Sequence, residues 1–189
     1  MFSTNINSLK IKLSKLNNIN FNLYEWDPSN INKKLVNNFT KLKIHKIFLF
    51  HALPFSMLNA YSKKVYYDIN FLSHIRIISM FYNNTSSIFF ISSVLSLLKI
   101  DYKFEYCDTK RKVEDYILNN KLQKCKILRL GPVKTGFEKP ALNFLSTTSR
   151  FVAKKIIFSN AKNKQIITIP NYFVLAYLLI KILNFLKKK

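Results

Sequence analysis

Glycine occurs only twice in this 189-residue chain, at Gly131 and Gly136. A backbone that wraps closely around a phosphate needs residues without a Cβ. No Gly-rich phosphate loop can therefore form, which excludes the nucleotide-binding folds that depend on one. What the chain carries instead is charge: 31 Lys and Arg against 9 Asp and Glu, a formal net charge of +22. A compact chain this cationic repels itself unless a polyanion neutralises it, which leaves nucleic acid and an anionic membrane surface as partners. The charge is spread along the whole length rather than gathered beside one apolar segment, and that distribution favours nucleic acid.

Hydrophobic residues make up 49% and aromatics 15%, enough to build a core and to exclude a disordered basic tail. Lys far outnumbers Arg, which occurs only at Arg76, Arg111, Arg129 and Arg150, and Asn, Ile, Phe and Tyr are plentiful. These residues have AT-rich codons, so the bias points to an AT-rich genome, and to a mitochondrial or plastid one ahead of a protist nucleus. Cys107 and Cys125 have no CxxC spacing and read as ordinary reduced thiols. The start, Met1 to Leu16, lacks both a sustained apolar run and the Arg-rich character of an import sequence, as expected of a protein made where it works.

Residues 1–67 read as a basic, Asn-rich N-terminal extension, although Ile44 to Leu53 is apolar enough for a buried strand or the start of a helix. From Asp68 to Tyr82, Ile69, Leu72, Ile75 and Ile78 recur at helical spacing, with Asp68 as N-cap. Ile88 to Phe90 reads as a short strand and Ile91 to Lys99 as a second helix. Tyr102, Phe104 and Tyr106 alternate with Lys103 and Glu105, a strand signature. Asp108 to Lys112 then reads as a charged turn, Val113 to Leu122 as a short helix, and Lys126 to Leu130 as a strand. Further strands are expected at Pro140 to Leu145, Lys155 to Phe158 and Gln165 to Ile169. The resulting fold class is α/β (α+β): two small mixed subdomains, 68–130 and 131–189, behind the extension. Tyr172 to Leu186 is the one transmembrane candidate. It has about 15 apolar residues where spanning needs ~20, and Lys181 and Asn184 interrupt it, so a buried element is the better reading.

In order along the chain, several segments resemble small-subunit ribosomal protein eight. Leu72, Ser73, His74, Ile75 and Arg76 stand where that family has Leu-Thr-Arg-Ile-Arg. Ile91 to Leu95 resembles its second helix and Tyr102 to Tyr106 its next strand. Lys139 and Pro140, then Ser149 and Arg150 with Lys154 and Lys155 behind them, resemble its Lys-Pro pair and Ser-Arg loop. Ile169 and Pro170 resemble the Ile-Pro before its last apolar segment. The resemblance spans residues 68–185. Phe151 and Val152 replace the family's Pro-Gly, and its closing Gly-Gly-Glu strand is missing.

The resemblance implies a constituent of the small subunit of a mitochondrial ribosome in the matrix, a ribonucleoprotein component of translation. Its partners would be ribosomal RNA and neighbouring small-subunit ribosomal proteins, without a small-molecule substrate, cofactor, metal or membrane, and without enzymatic activity. The A-form major groove is too narrow to read, so such a protein uses phosphates, 2′-hydroxyls and the minor groove. Ser146, Thr147, Thr148 and Ser149 can donate and accept there, and Arg150 can fork onto a phosphate. Arg76, Lys110, Arg111, Lys112, Lys154 and Lys155 complete the expected RNA-binding set. His45, His51 and His74 lack metal-ligand spacing, and the carboxylates form no recognisable acid–base pair. The alternatives are another organellar ribosomal protein, or an accessory subunit of an inner-membrane respiratory complex.

Overall fold

The computed structural model describes residues 2–3, 24–25, 39, 44–53, 59–97, 104–134, 146–158 and 164–170. Four parallel strands form the central sheet: β3 (Ile44–Leu49), β4 (Thr85–Ser93), β5 (Cys125–Leu130) and β8 (Ile166–Ile169), in the order β3-β4-β5-β8. Two short parallel pairs accompany it, β1 (Phe2–Ser3) with β2 (Tyr24–Glu25), and β6 (Val133–Lys134) with β7 (Thr147–Thr148). The fold is thus α/β, with helices crossing between neighbouring strands. A parallel sheet covered on both faces wants apolar residues in both directions of the pleat. That is why Ile88-Phe89-Phe90 and Ile127-Leu128 read as uninterrupted apolar runs. In register, Ile88 sits beside Ile47, and Phe90 beside Ile127.

The two faces have separate cores. On one, Ile88, Phe90, Cys125 and Ile127 of the sheet meet Ile77, Ile78 and Phe81 of α2 (Ser73–Phe81) and Val113 and Ile117 of α3 (Phe104–Asn119). On the other, Phe89, Leu128 and Ile169 meet Val152 and Ile156 of α4 (Ser149–Phe158), one turn apart on its buried stripe. Fully burying side chains such as Ile78, Phe90 or Ile127 contributes about 1.5–3 kcal/mol each. The exposed ion pairs Lys63–Glu105 and Lys112–Asp108 add about 0–1 kcal/mol each, so packing on the sheet decides stability.

The helix entering the first core begins earlier than its apolar repeat suggests. Ser62, not Asp68, is the N-cap, its hydroxyl accepting from Val65 N at 3.3 Å. From this cap run α1 (Lys63–Tyr67), a π-helical turn (Asp68–Leu72) and then α2. Of the expected strand Tyr102–Tyr106, the described residues Phe104–Tyr106 are helical: α3 starts at Phe104 and takes in the expected charged turn at 108–112. Two buried charged residues, Lys110 and Glu114, lie on the same stripe as Cys107, Val113 and Ile117, which disguises the helical period. Of the expected helix Ile91–Lys99, the described residues 91–97 are not α-helical: β4 continues to Ser93 and a 3-10 turn, Val94–Leu97, follows. Lys155–Phe158 belongs to α4 rather than to a strand.

The expected strands at Lys126–Leu130 and Gln165–Ile169 correspond to β5 and β8. β3 falls within residues 1–67 and pairs with β4. Pro140–Leu145 and Tyr172–Leu186 lie outside the described residues. Among the described residues no helix is long and apolar enough to cross a membrane. Cys107 and Cys125 are both buried, and burial pushes the Cys125 thiol up to about 12.

Candidate active site

Parallel strands that feed helices leave a crevice at their C-terminal ends, where backbone and loop groups converge. Here β3, β4 and β5 open onto a cavity of about 220 Å³, lined by Phe50 and Ala52 after β3, by Ile91, Ser92 and Ser93 of β4, and by Leu130, Gly131 and Val133 at and after β5. Tyr106 and Lys110 of α3 complete it. Their i,i+4 spacing puts both side chains on one face of the helix, about 5–6 Å apart at Cβ. The cavity thus joins apolar walls to hydroxyls, a phenol and an ammonium group.

Three polar arrangements hold these groups in place. Lys110, 3% exposed, donates from Nζ to the Ile91 carbonyl at 3.0 Å and lies 5.0 Å over the Phe90 ring. Burial lowers its pKa to about 8, with the nearby Glu114 carboxylate working in the opposite direction. Glu114, 2% exposed, accepts from the Ser92 hydroxyl, from Ser96 Oγ at 2.8 Å, and from Arg129 Nη2 at 2.5 Å and Nε at 3.1 Å. This buried carboxylate therefore ties the end of β4, the 3-10 turn after it, and β5 to α3, with Ser93 held between two of its donors. On the β3 side, Asn70 in the π-helical turn is fully buried. Its Oδ1 accepts from Leu53 N at 2.7 Å and its Nδ2 donates to Leu53 O at 3.0 Å, pinning the segment that carries Phe50 and Ala52.

Beneath that segment, His51 and His74 stack with ring centroids 4.0 Å apart. Ser73 Oγ donates its proton to Ile69 O at 2.6 Å, so His51 Nε2, 2.6 Å from the same oxygen, is the donor to it. Burial, reinforced by the Lys110 charge, lowers His51 to about 4; burial also holds His74 well below the ordinary imidazole range, and both rings are neutral at pH 7.

The residues expected to bind RNA are distributed over α2 and α3 on one face of the sheet and over β7 and α4, the latter on its other face. Lys110 is buried in the cavity wall rather than exposed in a turn. Arg111, half-buried, donates from Nε to Ser96 O at 3.0 Å, and Lys112 pairs with Asp108 at 2.8 Å. Arg76 is exposed on α2, remote in sequence from the rest. The hydroxyl stretch has local structural work: Thr147 and Thr148 form β7, and Thr148 Oγ1 accepts from Phe151 N at 3.2 Å, capping α4. Ser146 is half-buried beside β7, while Ser149, Arg150, Lys154 and Lys155 are exposed on α4. Lys155 lies 5.6 Å over the Phe151 ring. Conversely, Ser92, Ser93, Tyr106 and Asn70 were not singled out as binding residues. The signal that could have found them is the Tyr106–Lys110 spacing on a helix, hidden by reading that stretch as strand and turn.

No protein-family model matches the chain, and no curated protein matches its sequence. Its structure does have relatives. A short-chain dehydrogenase from Streptomyces avermitilis aligns over 99% of this chain and 83% of that one, with 12% identity and a TM-score of 0.73. The E. coli oxidoreductase yciK aligns over 88% and 82%, with 12% identity and a TM-score of 0.70. An alcohol dehydrogenase from the archaeon Thermococcus sibiricus, complexed with 5-hydroxy-NADP, aligns over 86% and 79%, with 17% identity and a TM-score of 0.66. These likenesses overturn the ribosomal reading together with its rRNA and ribosomal-protein partners and its absence of enzymatic activity. Lacking a Gly-rich loop, the chain nonetheless has the doubly wound fold of short-chain dehydrogenases.

Proposed function

We propose that this protein is an oxidoreductase that interconverts a carbonyl and an alcohol in the cavity at the ends of β3, β4 and β5. One observation carries the reading: a phenol, an ammonium and serine hydroxyls line the same crevice, on a fold whose structural relatives are dehydrogenases. Reduction of a carbonyl needs a hydride at carbon and a proton at oxygen. Tyr106 is the group suited to hand over that proton, since its phenol can donate to a carbonyl oxygen and bear negative charge afterwards. The Lys110 ammonium, on the same helix face, stabilises the charge that develops on the phenolic oxygen. Ser93, held at the mouth of β4, can donate to the substrate oxygen and fix its position. The Glu114–Arg129 pair acts behind it, by keeping Ser92 and the following turn in place.

A reduced nicotinamide, when bound, supplies the hydride. The cavity fits the nicotinamide–ribose half of such a cofactor: Phe50, Ile91, Leu130 and Val133 suit a flat ring, and Lys110 and the hydroxyls suit a carboxamide and ribose hydroxyls.

The test is turnover of a panel of aldehydes and ketones by the purified chain with NADH or NADPH, followed by loss of nicotinamide absorbance. Tyr106→Phe should lower kcat by about 100-fold or more while leaving the circular dichroism spectrum unchanged. A Phe variant as active as the parent would remove Tyr106 from the chemistry.

A further inference from the structure

Across the sheet from α3, α4 packs Val152 and Ile156 onto Phe89, Leu128 and Ile169. By the helical repeat, the opposite side of α4 is centred on Lys154, with Arg150 one turn before it and Phe151 beside them. Arg150, Lys154 and Lys155 are exposed, as is Phe151 at 40%, and Lys155 Nζ stands 5.6 Å over the Phe151 ring. Lys134 of β6, also exposed, is in register with Thr148, the cap of α4, and adds a fourth cation at the start of the helix. No carboxylate in the sequence of α4 offsets this charge, and from Lys139 to Lys189 the chain holds ten Lys and Arg but no Asp or Glu. A helix N-terminus favours negative charge, so Arg150 in the first turn works against the helix it begins. Its charge is better accounted for by a partner outside the fold.

We propose that this face of α4 docks on an anionic lipid surface, with Phe151 entering the headgroup layer and Lys134, Arg150, Lys154 and Lys155 lying among the lipid phosphates and carboxylates. An outward helix ridge with an aromatic ring among cations suits a bilayer surface. Single-stranded nucleic acid instead takes a cationic groove with open aromatic faces for its bases, and one face of Phe151 is already taken by Lys155. The formal charge of +22 on the whole chain draws it toward such a surface before contact. Each cation that reaches an anionic leaflet then strengthens binding about fivefold. The proposal does not rest on the oxidoreductase reading, because α4 and the Tyr106–Lys110 pair lie on opposite faces of the sheet.

The experiment is sedimentation of the full chain with vesicles of phosphatidylcholine, alone or with about one-third phosphatidylserine, at low and high salt. The chain should bind the mixed vesicles at least about tenfold more tightly than pure phosphatidylcholine, and less tightly as salt rises. Arg150→Ala combined with Lys154→Ala should weaken that binding by about 25-fold. Lys64→Ala combined with Arg76→Ala, at exposed positions on α1 and α2, should change it by no more than about twofold. The emission added by Phe151→Trp should shift to the blue on the mixed vesicles, which reads burial of the ring without any alanine variant. Equal losses for the two alanine pairs, or an added emission that vesicles leave unmoved, would overturn the assignment to α4. So would an absence of binding to the mixed vesicles. Tighter binding of polyuridylate through the same Arg150, Phe151 and Lys154 would overturn it too, and make the face a nucleic-acid site.

Discussion

Asn70 and Leu53 exchange two hydrogen bonds, one in each direction, between the side chain of a π-helical turn and the backbone of the segment leaving β3. A single buried amide thereby satisfies both polar groups of Leu53 and ties one wall of the cavity to the helix in front of α2. Asn70→Ala leaves the N–H and the C=O of half-buried Leu53 without these partners. The expected loss is about 2–4 kcal/mol in unfolding free energy. Urea denaturation measures it; an unchanged midpoint would mean that the two groups find other partners.

Glu114 and Arg129 form a pair with side chains 3% and 15% exposed. Breaking a buried pair from one side costs about 3–5 kcal/mol, because the remaining charge stays buried, whereas replacing both partners with apolar residues costs far less. Glu114→Met and Arg129→Met should each be strongly destabilising, and the double variant markedly less so than their sum. A double-mutant cycle by denaturation gives the coupling. Additive single effects would show that the serines, not the arginine, define the role of Glu114.

The inner strands of the sheet were legible in the sequence, because strands buried on both faces write themselves as largely apolar runs: Ile88 to Phe90 and Lys126 to Leu130, with Gln165 to Ile169 beside them, whereas the more exposed β3 was left open between strand and helix. The site was not, and for a related reason. On α3 the buried stripe carries Lys110 and Glu114, so its period fades just where the chemistry sits, and the chance alternation of Tyr102, Phe104 and Tyr106 suggested a strand. Composition misled at a second point. Missing glycines exclude a phosphate loop, but the doubly wound fold follows from alternating buried strands and amphipathic helices and survives without the loop.

The left-handed residue at the end of α3 offers a stabilising change. Lys121 has φ 51°, its N–H bonds to Leu118 O at 3.0 Å, and Leu122 N bonds to Ile117 O at 3.0 Å. This is the helix stop at which glycine is favoured, and a side chain there costs about 1 kcal/mol. Lys121→Gly should stabilise the protein by about 0.5–1 kcal/mol, visible as a raised thermal midpoint. A lowered midpoint would mean that the lysine side chain contributes more than its backbone strain removes.

The buried imidazoles make stability depend on acid. His51 has a folded pKa of about 4 against an ordinary 6.5, lowered by burial and then by Lys110. The unfolded chain therefore binds a proton between these values while the folded one does not. Its contribution is full above pH 6.5 and is lost as pH falls toward 4. Unfolding free energy should decline across that window, and His51→Phe, which keeps a ring against His74 but cannot titrate, should flatten the decline. Identical pH slopes in parent and variant would exclude His51 as the source.

Lys110 sets the opposite limit, on activity rather than on stability. With a pKa lowered to about 8, it passes from ammonium to amine in a range where an exposed lysine stays charged. Charge that develops on Tyr106 as it releases its proton is stabilised only by the ammonium form, so carbonyl reduction should fall as pH rises through about 8. Glu114 raises the Lys110 pKa, so Glu114→Gln should move that falling limb to lower pH, provided the variant remains folded by circular dichroism. A rate profile flat to pH 10 in the parent protein would mean that proton transfer at this site does not depend on the Lys110 charge.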